Sequence, residues 1–241
     1  GRNLQRIGLS ATIEPLELSA EYLSPEPAVI CAPAMEKKVF IEVVGTTPAN
    51  GRRKDPVWEE LGMAVYQKCL DCKSVIAFSE GRRYAEKLAY YVNLLGGDGF
   101  ARVHHGSLSK EQRAEVEQEL REGRLRLLCA TSSMELGIDV GDIDQVLQIG
   151  CPRTVSSTMQ RLGRAGHNPG SVSVMYMYPR TAPESVYCGM TAETARLGGV
   201  EHTKPPRMCL DVLAQHLVSM AAGDGYRVDE VMDILNRAYS F

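Results

Sequence analysis

A regular alternation of apolar strands and amphipathic helices fills the middle of this 241-residue chain and restricts its fold more than any other feature. Helical spacing is clear from Arg82 to Leu95, where apolar residues return every three or four positions until Gly96 and Gly97 end the pattern. Near-continuous apolar runs rich in β-branched residues are typical of parallel sheets that are buried on both faces. We therefore predict an α/β fold with a parallel sheet covered by helices on both faces. Its predicted strands are 74–78, 101–104, 125–130, 145–149 and 172–178.

Capping and turn residues indicate where several of the other elements begin and end. Ser109 followed by Gln112 is a capping box that opens a helix, and Ser156 or Ser157 is expected to cap a helix that runs through Arg164. Other predicted helices are 15–23, the segment from Trp58 to Leu70, and 183–197. Further strands are predicted at 7–9, 29–31 and 39–44, the first ending in the polar turn Ser10-Ala11-Thr12.

Two adjacent prolines, Pro205 and Pro206, indicate a domain boundary near the C-terminal end. Beyond them lie only two helical patterns, which cannot close a core by themselves. We predict one large domain over residues 1–204 and the beginning of a second, helical module over residues 205–241.

Composition excludes several kinds of protein. The formal net charge is −3, so a nucleic-acid contact would have to be a local groove. The seven cysteines include one CxxC, Cys69 and Cys72, but no second pair at metal-site spacing, so we expect reduced thiols and no metal site. The sequence shows no signal peptide and no apolar run long enough to cross a bilayer, which predicts a soluble, cytoplasmic protein without a membrane partner.

Two polar stretches combine into a predicted nucleotide site. The first is 131–139 (TSSMELGID), a turn that follows an apolar strand, and the second is 160–167 (QRLGRAGH). Arg161 and Arg164 are three residues apart and would share one helix face. A guanidinium is a permanently charged fork of donors that suits a phosphate. Asp139 could accept from a ribose hydroxyl, although capping a turn before Gly141 is an alternative role.

Taken in order, five motifs carry a resemblance to a known family. The chain resembles the second RecA-like motor domain of a superfamily 2 helicase, and within that group the large helicase-related (Lhr) family. The helices from about Pro205 resemble the beginning of the winged-helix domain that follows in that family. His167 departs from the DEAD-box pattern, in which motif VI usually ends in arginine. The matching segments are 10–12 (motif III), 78–83 (motif IV), 104–109 (the family's HHGS element), 131–139 (motif V) and 160–167 (motif VI).

The resemblance implies an ATP-dependent helicase or translocase that moves 3′-to-5′ on single strands. It implies a catalytic role for Arg164 as an arginine finger at the γ-phosphate. The second implied catalytic residue is Arg161, which would share the phosphate face or tie motif VI to the motif V loop. Gly137, Asp139 and Gln160 would contact the nucleotide.

The same resemblance implies a nucleic-acid channel whose substrate is single-stranded DNA or a DNA/RNA hybrid. Ser10 and Thr12 would couple the nucleotide state to this channel. Thr131 and Ser132 could instead cap a turn, and Arg82 and Arg83 could be solvated charges. The predicted nucleic-acid contacts are Thr131, Ser132, Arg82, Arg83, His105 and Gly106.

Two absences shape the functional prediction. No GxxxxGK[ST] motif and no Asp-Glu box follow a strand, so the sequence offers neither a P-loop nor a Mg²⁺ ligand. We expect a chain cut from a longer polypeptide, whose N-terminal RecA-like domain would bind ATP and Mg²⁺, and we expect the isolated chain to be inactive. The alternative is a non-catalytic nucleic-acid-binding or scaffolding module that retains the motor fold. A dehydrogenase is excluded, since no GxGxxG follows an early strand.

Overall fold

The computed structural model describes residues 5–33, 38–45, 55–135, 141–166, 171–223 and 225–241. Helices and strands alternate along most of this length. In chain order the elements are α1 (Leu16–Leu23), β1 (Val39–Val43), α2 (Pro56–Leu70), β2 (Val75–Ser79), α3 (Arg82–Gly96), β3 (Ala101–His104), α4 (Lys110–Arg121), β4 (Leu127–Ala130), β5 (Gln145–Ile149), α5 (Val155–Leu162), β6 (Ser173–Tyr178), α6 (Ala182–Arg196), α7 (Leu210–Ala222) and α8 (Val228–Arg237).

The strands form one six-stranded sheet in the order β1-β6-β5-β2-β4-β3, and every neighbouring pair is parallel. At its centre, Ala77 of β2 is in register with Cys129 of β4 on one side and Leu147 of β5 on the other. All residues of these three strands are buried. The predicted α/β fold with a doubly covered parallel sheet is therefore confirmed.

Alternate side chains of the central strands pack into two cores on opposite faces of the sheet. Ile76 and Phe78 belong to the core that also contains residues of α4, α5 and α6. Val75 and Ala77 belong to the core that contains residues of α2 and α3. The fully buried side chains of Val75, Ile76 and Phe78 each contribute about 1.5–3 kcal/mol through removal of apolar surface from water. Helices α3 and α5 consequently lie on opposite faces.

Hydrogen bonds at the helix ends confirm one predicted cap and correct another. Ser109 Oγ accepts from the Gln112 backbone N at 3.2 Å while Gln112 Oε1 accepts from the Ser109 N, which is the predicted capping box. In α5 the cap is Thr154, whose Oγ1 accepts from the Ser157 N at 3.0 Å, so the prediction of Ser156 or Ser157 was wrong. This helix ends at Leu162, so Arg164 lies in the turn that follows it.

Two short segments predicted as strands are not strands. Residues 7–9 and 29–31 have no sheet neighbour among the described residues, and Leu9 and Val29 are more than nine-tenths exposed. Their apolar, β-branched composition favours an extended backbone. That preference reflects packing against neighbouring strands and does not form a strand without them.

The described residues group into two compact units. One lies between residues 35 and 200 and contains the sheet. In the other, the described residues before 34 pack with those from Glu201 onward, including α1, α7 and α8. The rings of Tyr22 and Tyr239 meet edge-on at 6.0 Å, and the Arg207 guanidinium lies 4.5 Å above the Tyr239 ring. The boundary after residue 204 stays a prediction. Among the described helices, none combines the length and hydropathy that a membrane span requires.

Candidate functional site

The carboxyl edge of the sheet brings most of the predicted site residues together. Loops leave this edge after β2, β3 and β4. Helix α5 follows β5 from the same edge. In open parallel sheets ligands bind at this edge, at the point where two neighbouring strands are followed by helices on opposite faces of the sheet. Here that point lies between β2, which leads to α3, and β5, which leads to α5.

Arg161 is buried at this point and is fully engaged by protein groups. Its side chain is 3% exposed. Its Nε donates to Glu135 Oε1 at 2.7 Å, and its Nη2 contacts the same oxygen. Its Nη1 donates to Gln148 Oε1 at 2.7 Å and forms an ion pair with Glu80 Oε1, also at 2.7 Å. This arrangement supports the predicted tie between motifs VI and V, while the predicted catalytic role of Arg161 is not tested.

The surroundings of Arg161 explain how the fold accommodates a buried cation. Gln148 lies on β5 and is itself buried, with its Nε2 donating to the carbonyl of Ile149 at 3.1 Å. The Phe78 ring centroid lies 5.3 Å from the guanidinium carbon of Arg161. Charge-assisted hydrogen bonds to Glu135 and the ion pair with Glu80 offset the desolvation of the cation. The cluster of Arg161, Glu135, Gln148 and Glu80 therefore lies against an otherwise apolar core.

Arg164 approaches the same acidic residue from the turn after α5. Its Nη2 donates to the Glu135 backbone carbonyl at 2.8 Å, and its backbone N donates to the Arg161 carbonyl at 2.9 Å. Glu135 thus holds one arginine through its carboxylate and the other through its main chain. Arg164 is only half-buried, so part of it faces solvent.

The remaining predicted nucleotide contacts are only partly described. Gln160 lies on α5, half-buried, directly before Arg161. Gly137, Asp139 and His167 lie outside the described residues. The predicted nucleotide contacts of Gln160, Gly137 and Asp139 stay predictions.

Several predicted nucleic-acid contacts line the neighbouring part of the same edge. Arg82 Nη1 donates to Ser107 Oγ at 2.9 Å, which joins the start of α3 to the loop after β3. Arg83, Gly106 and Ser132 are exposed. Thr131, half-buried, follows β4 directly. These groups follow three adjacent strands, β2, β4 and β3, and include hydroxyl and guanidinium donors.

The two adjacent histidines are buried and serve internal contacts. His105 is 4% exposed, with Nε2 at 3.1 Å from Glu86 Oε1 and Nδ1 accepting from the Ser107 backbone N at 3.3 Å. His104 is 1% exposed and contacts Ser133 and Glu117. The predicted contact of His105 with nucleic acid would therefore have to use its backbone. No metal-binding group of three or more His, Cys, Asp or Glu occurs among the described residues.

Sequence reasoning missed the acidic members of the cluster. Glu80 lies within the segment that resembles motif IV, and Glu135 within motif V, yet neither was assigned a role. A signal was present, because motifs IV and V both carry acidic residues and motif VI carries two arginines. Which of them meet depends on strand order, which the sequence does not state. The other two predicted residues, Ser10 and Thr12, lie in the unit that contains α1.

Comparisons with known proteins agree with this geometry. The family model for the helicase conserved C-terminal domain matches residues 61–168. The model for the winged-helix domain of large helicase-related protein matches residues 193–241.

Relatives match almost the whole chain. The Lhr helicase/probable uracil glycosylase of Mycolicibacterium smegmatis is 35% identical over 98% of this chain and 18% of its own length. The ATP-dependent helicase Lhr-Core of Methanocaldococcus jannaschii is 36% identical over 99% of this chain and 29% of its own length. The chain thus spans less than a third of the length of these two relatives.

A solved structure extends the likeness to three dimensions. The structure of Mycobacterium smegmatis helicase Lhr bound to ssDNA and AMP-PNP superposes with a TM-score of 0.89 at 38% identity. The match covers 98% of this chain and 32% of that one.

Proposed function

Because this chain belongs to the Lhr family and has the RecA-like fold of helicase C-terminal domains, we propose that it is the second motor domain of an ATP-dependent nucleic-acid helicase or translocase. In this proposal it supplies the arginine finger and part of the nucleic-acid channel. The winged-helix match over residues 193–241 supports a further domain that follows the sheet unit in the sequence.

The placement of Arg164 is the observation that carries the proposal. It lies near the carboxyl edge of the sheet where β2 and β5 meet, which we call the crevice. Its side chain is hydrogen-bonded to Glu135 and is still partly exposed to solvent. A guanidinium in this position can neutralise charge that spreads over phosphoryl oxygens during transfer. An adaptor would have no use for such a residue.

This chain would supply one half of the ATP-binding site. Arg164 would face its phosphates, with Gln160, Gly137 and Asp139 as further contacts and Arg161 behind them. The described residues offer no cluster of carboxylates for Mg²⁺. We therefore assign the Mg²⁺ ligands and the P-loop to an N-terminal RecA-like domain of the same polypeptide.

The nucleic-acid channel is assigned to the edge formed after β2, β3 and β4. Hydroxyls and guanidinium groups there would bind phosphates without reading sequence. The proposed substrate is single-stranded DNA or a DNA/RNA hybrid, with 3′-to-5′ movement. The related Mycobacterium smegmatis structure, bound to ssDNA and AMP-PNP, supports this assignment. Ser10 and Thr12 would couple the two sites. Seven free thiols suit a reducing compartment, so we place the protein in the cytoplasm.

The test uses the two-domain protein, by which we mean this chain preceded by a motor domain that carries a P-loop. ATP hydrolysis stimulated by single strands is measured for the wild type and Arg164→Ala, with binding of a labelled oligonucleotide followed by anisotropy. Hydrolysis should fall about 10³-fold or more while binding persists. Arg124→Ala is the matched control, since Arg124 is exposed and pairs only with Glu122 among its described ionic contacts.

Two results would overturn the proposal. Equal hydrolysis by wild type and Arg164→Ala would show that motif VI supplies no finger. Binding without any hydrolysis by the wild type would favour the alternative, a scaffolding module that retains the motor fold.

A further inference from the structure

We infer that Glu80 is a positioning residue of the motor: it holds Arg161 in place, and Arg161 in turn fixes the Glu135 main chain to which Arg164 is bound. This inference rests on the proposed function, because it concerns how the finger is aimed. It also assigns Arg161 to the support of Arg164 and not to contact with phosphate.

The contacts of Arg161 argue for a supporting role. All three of its guanidinium nitrogens are engaged, by Glu135, Gln148 and Glu80. Its side chain is 3% exposed. A phosphate could reach it only after these contacts break, and breaking a buried ion pair is costly. Arg164, in contrast, is partly exposed.

The path from Glu80 to Arg164 is continuous. Glu80 meets Arg161 at 2.7 Å, Arg161 meets the Glu135 carboxylate at 2.7 Å, and Glu135 accepts from Arg164 at 2.8 Å through its carbonyl. Glu80 follows β2 directly, and Ser79 is in register with Ile149 of β5. The contact therefore bridges the crevice between the two central strands.

Both carboxylates contribute to holding the positive charge of the buried Arg161 side chain. Glu80 and Glu135 surround one buried guanidinium, and Arg153 lies 3.4 Å from Glu80. The Arg153 side chain is 85% exposed, so its attraction to Glu80 is screened by water. Arg161 remains the main partner of Glu80. Removing the Glu80 charge leaves the guanidinium with one carboxylate, that of Glu135, and the neutral Gln148 amide.

The variant Glu80→Gln keeps the shape of the side chain and removes its charge. In the two-domain protein we expect kcat for ATP to fall about 10- to 100-fold, the size of effect that a displacement of about 1 Å produces. The KM for ATP and the affinity for a single-stranded oligonucleotide should stay unchanged. Glu80→Asp, which retains the charge, should recover part of the rate. Glu122→Gln, a change at an exposed surface pair, is the control and should match the wild type.

A double-mutant cycle separates positioning from general stability. If Glu80 acts through the finger, Glu80→Gln should cause no further loss of kcat in the Arg164→Ala background. An equal loss in both backgrounds, or a loss explained by a lower melting temperature, would overturn the inference. So would full activity of Glu80→Gln.

The outcomes also distinguish this inference from the proposed function. If the wild type hydrolyses ATP and Arg164→Ala does not, the proposed function stands whatever Glu80→Gln does. Full activity of Glu80→Gln in that case removes only the inference. A wild type without hydrolysis removes both.

Discussion

The imidazole Nδ1 of His104 lies 2.9 Å from Ser133 Oγ, so a ring at the end of β3 holds the turn that follows β4. The other ring nitrogen, Nε2, lies 2.9 Å from Glu117 Oε1 on α4. The His104 carbonyl also accepts from the Thr131 backbone N at 3.2 Å. One buried residue therefore ties two loops and a helix together at the edge that we assign to nucleic acid.

Replacing His104 by alanine should weaken both the fold and this edge. The variant removes two partly buried hydrogen bonds and leaves a cavity, which should lower the free energy of unfolding by about 2–4 kcal/mol. Affinity for single strands should fall as well, because the turn that carries Thr131 and Ser132 loses its support. Urea unfolding and oligonucleotide anisotropy measure the two effects. His202→Ala, at an exposed position, should alter neither. Unchanged binding by His104→Ala would contradict the supporting role.

Arg82 and Arg83 should each contribute a phosphate contact. Removing a phosphate contact weakens binding equally for oligonucleotides of different sequence. The slope of log affinity against log salt should become shallower by about 0.7 for each arginine that is changed to alanine. Titrations at several salt concentrations test this, with Arg124→Ala as the control. A salt slope that stays at the wild-type value would show that these arginines are solvated charges.

The ion pair between Arg180 and Glu184 should make stability depend on pH. Burial raises the pKa of the Glu184 carboxyl, but hydrogen bonds from Arg180 outweigh it and the net pKa is lowered. The Arg180 backbone N donates to Glu184 Oε2 at 2.8 Å. A carboxyl whose folded pKa is depressed stabilises the fold above its unfolded pKa, and this contribution is lost as pH falls through the folded pKa.

We therefore expect Glu184→Gln to lower the free energy of unfolding by about 1 kcal/mol at pH 7. The difference from wild type should shrink as pH falls below about 4, near the ordinary glutamate pKa. Urea unfolding from pH 7 to pH 3 measures it. Glu193→Gln, which disrupts an exposed pair with Arg196, should have a smaller effect at every pH. A constant difference across the range would show that the ion pair is not its cause.

Cysteine reactivity should divide the seven thiols by burial. Burial raises the pKa of Cys69 to about 12, and burial together with Cys151 raises that of Cys188 to about 12. Cys129 is buried and its pKa is also raised. These three thiols should resist iodoacetamide at pH 8 in the folded protein and react once it is unfolded, while exposed Cys31 should react in both states. Peptide mass spectrometry reads out each site. Rapid labelling of Cys129 in the folded protein would contradict this packing.

The sheet and its helices were accessible from sequence because their signal is local. Apolar runs such as 125–130 are too long and too apolar for loops, and the Ser109 capping box marks a helix start unambiguously. Residues 7–9 and 29–31 carry the same apolar signal without a neighbouring strand. Composition alone does not distinguish these two situations.

The motifs predicted which residues belong to the site but not which of them contact one another. Arg161 and Arg164 were recognised from their spacing, but that spacing does not distinguish a buried ion-paired guanidinium from one that faces solvent. The difference comes from Glu80 and Glu135, which are distant from Arg161 in sequence and meet it because β2 pairs with both β5 and β4. Likewise, Thr154 replaces the predicted serine caps because α5 begins two or three residues earlier than the serines suggest.

The pairing of β1 with β6 has a consequence for how the protein is made. Val39 is in register with Ser173, so the first strand of the sheet finds its partner only in the last. During synthesis, β1 leaves the ribosome well before that partner exists, and its backbone donors and acceptors stay unpaired meanwhile. An unpaired strand is a template for pairing with other chains. Until β6 has been synthesised, β1 is therefore a site where a nascent chain of this protein could pair wrongly.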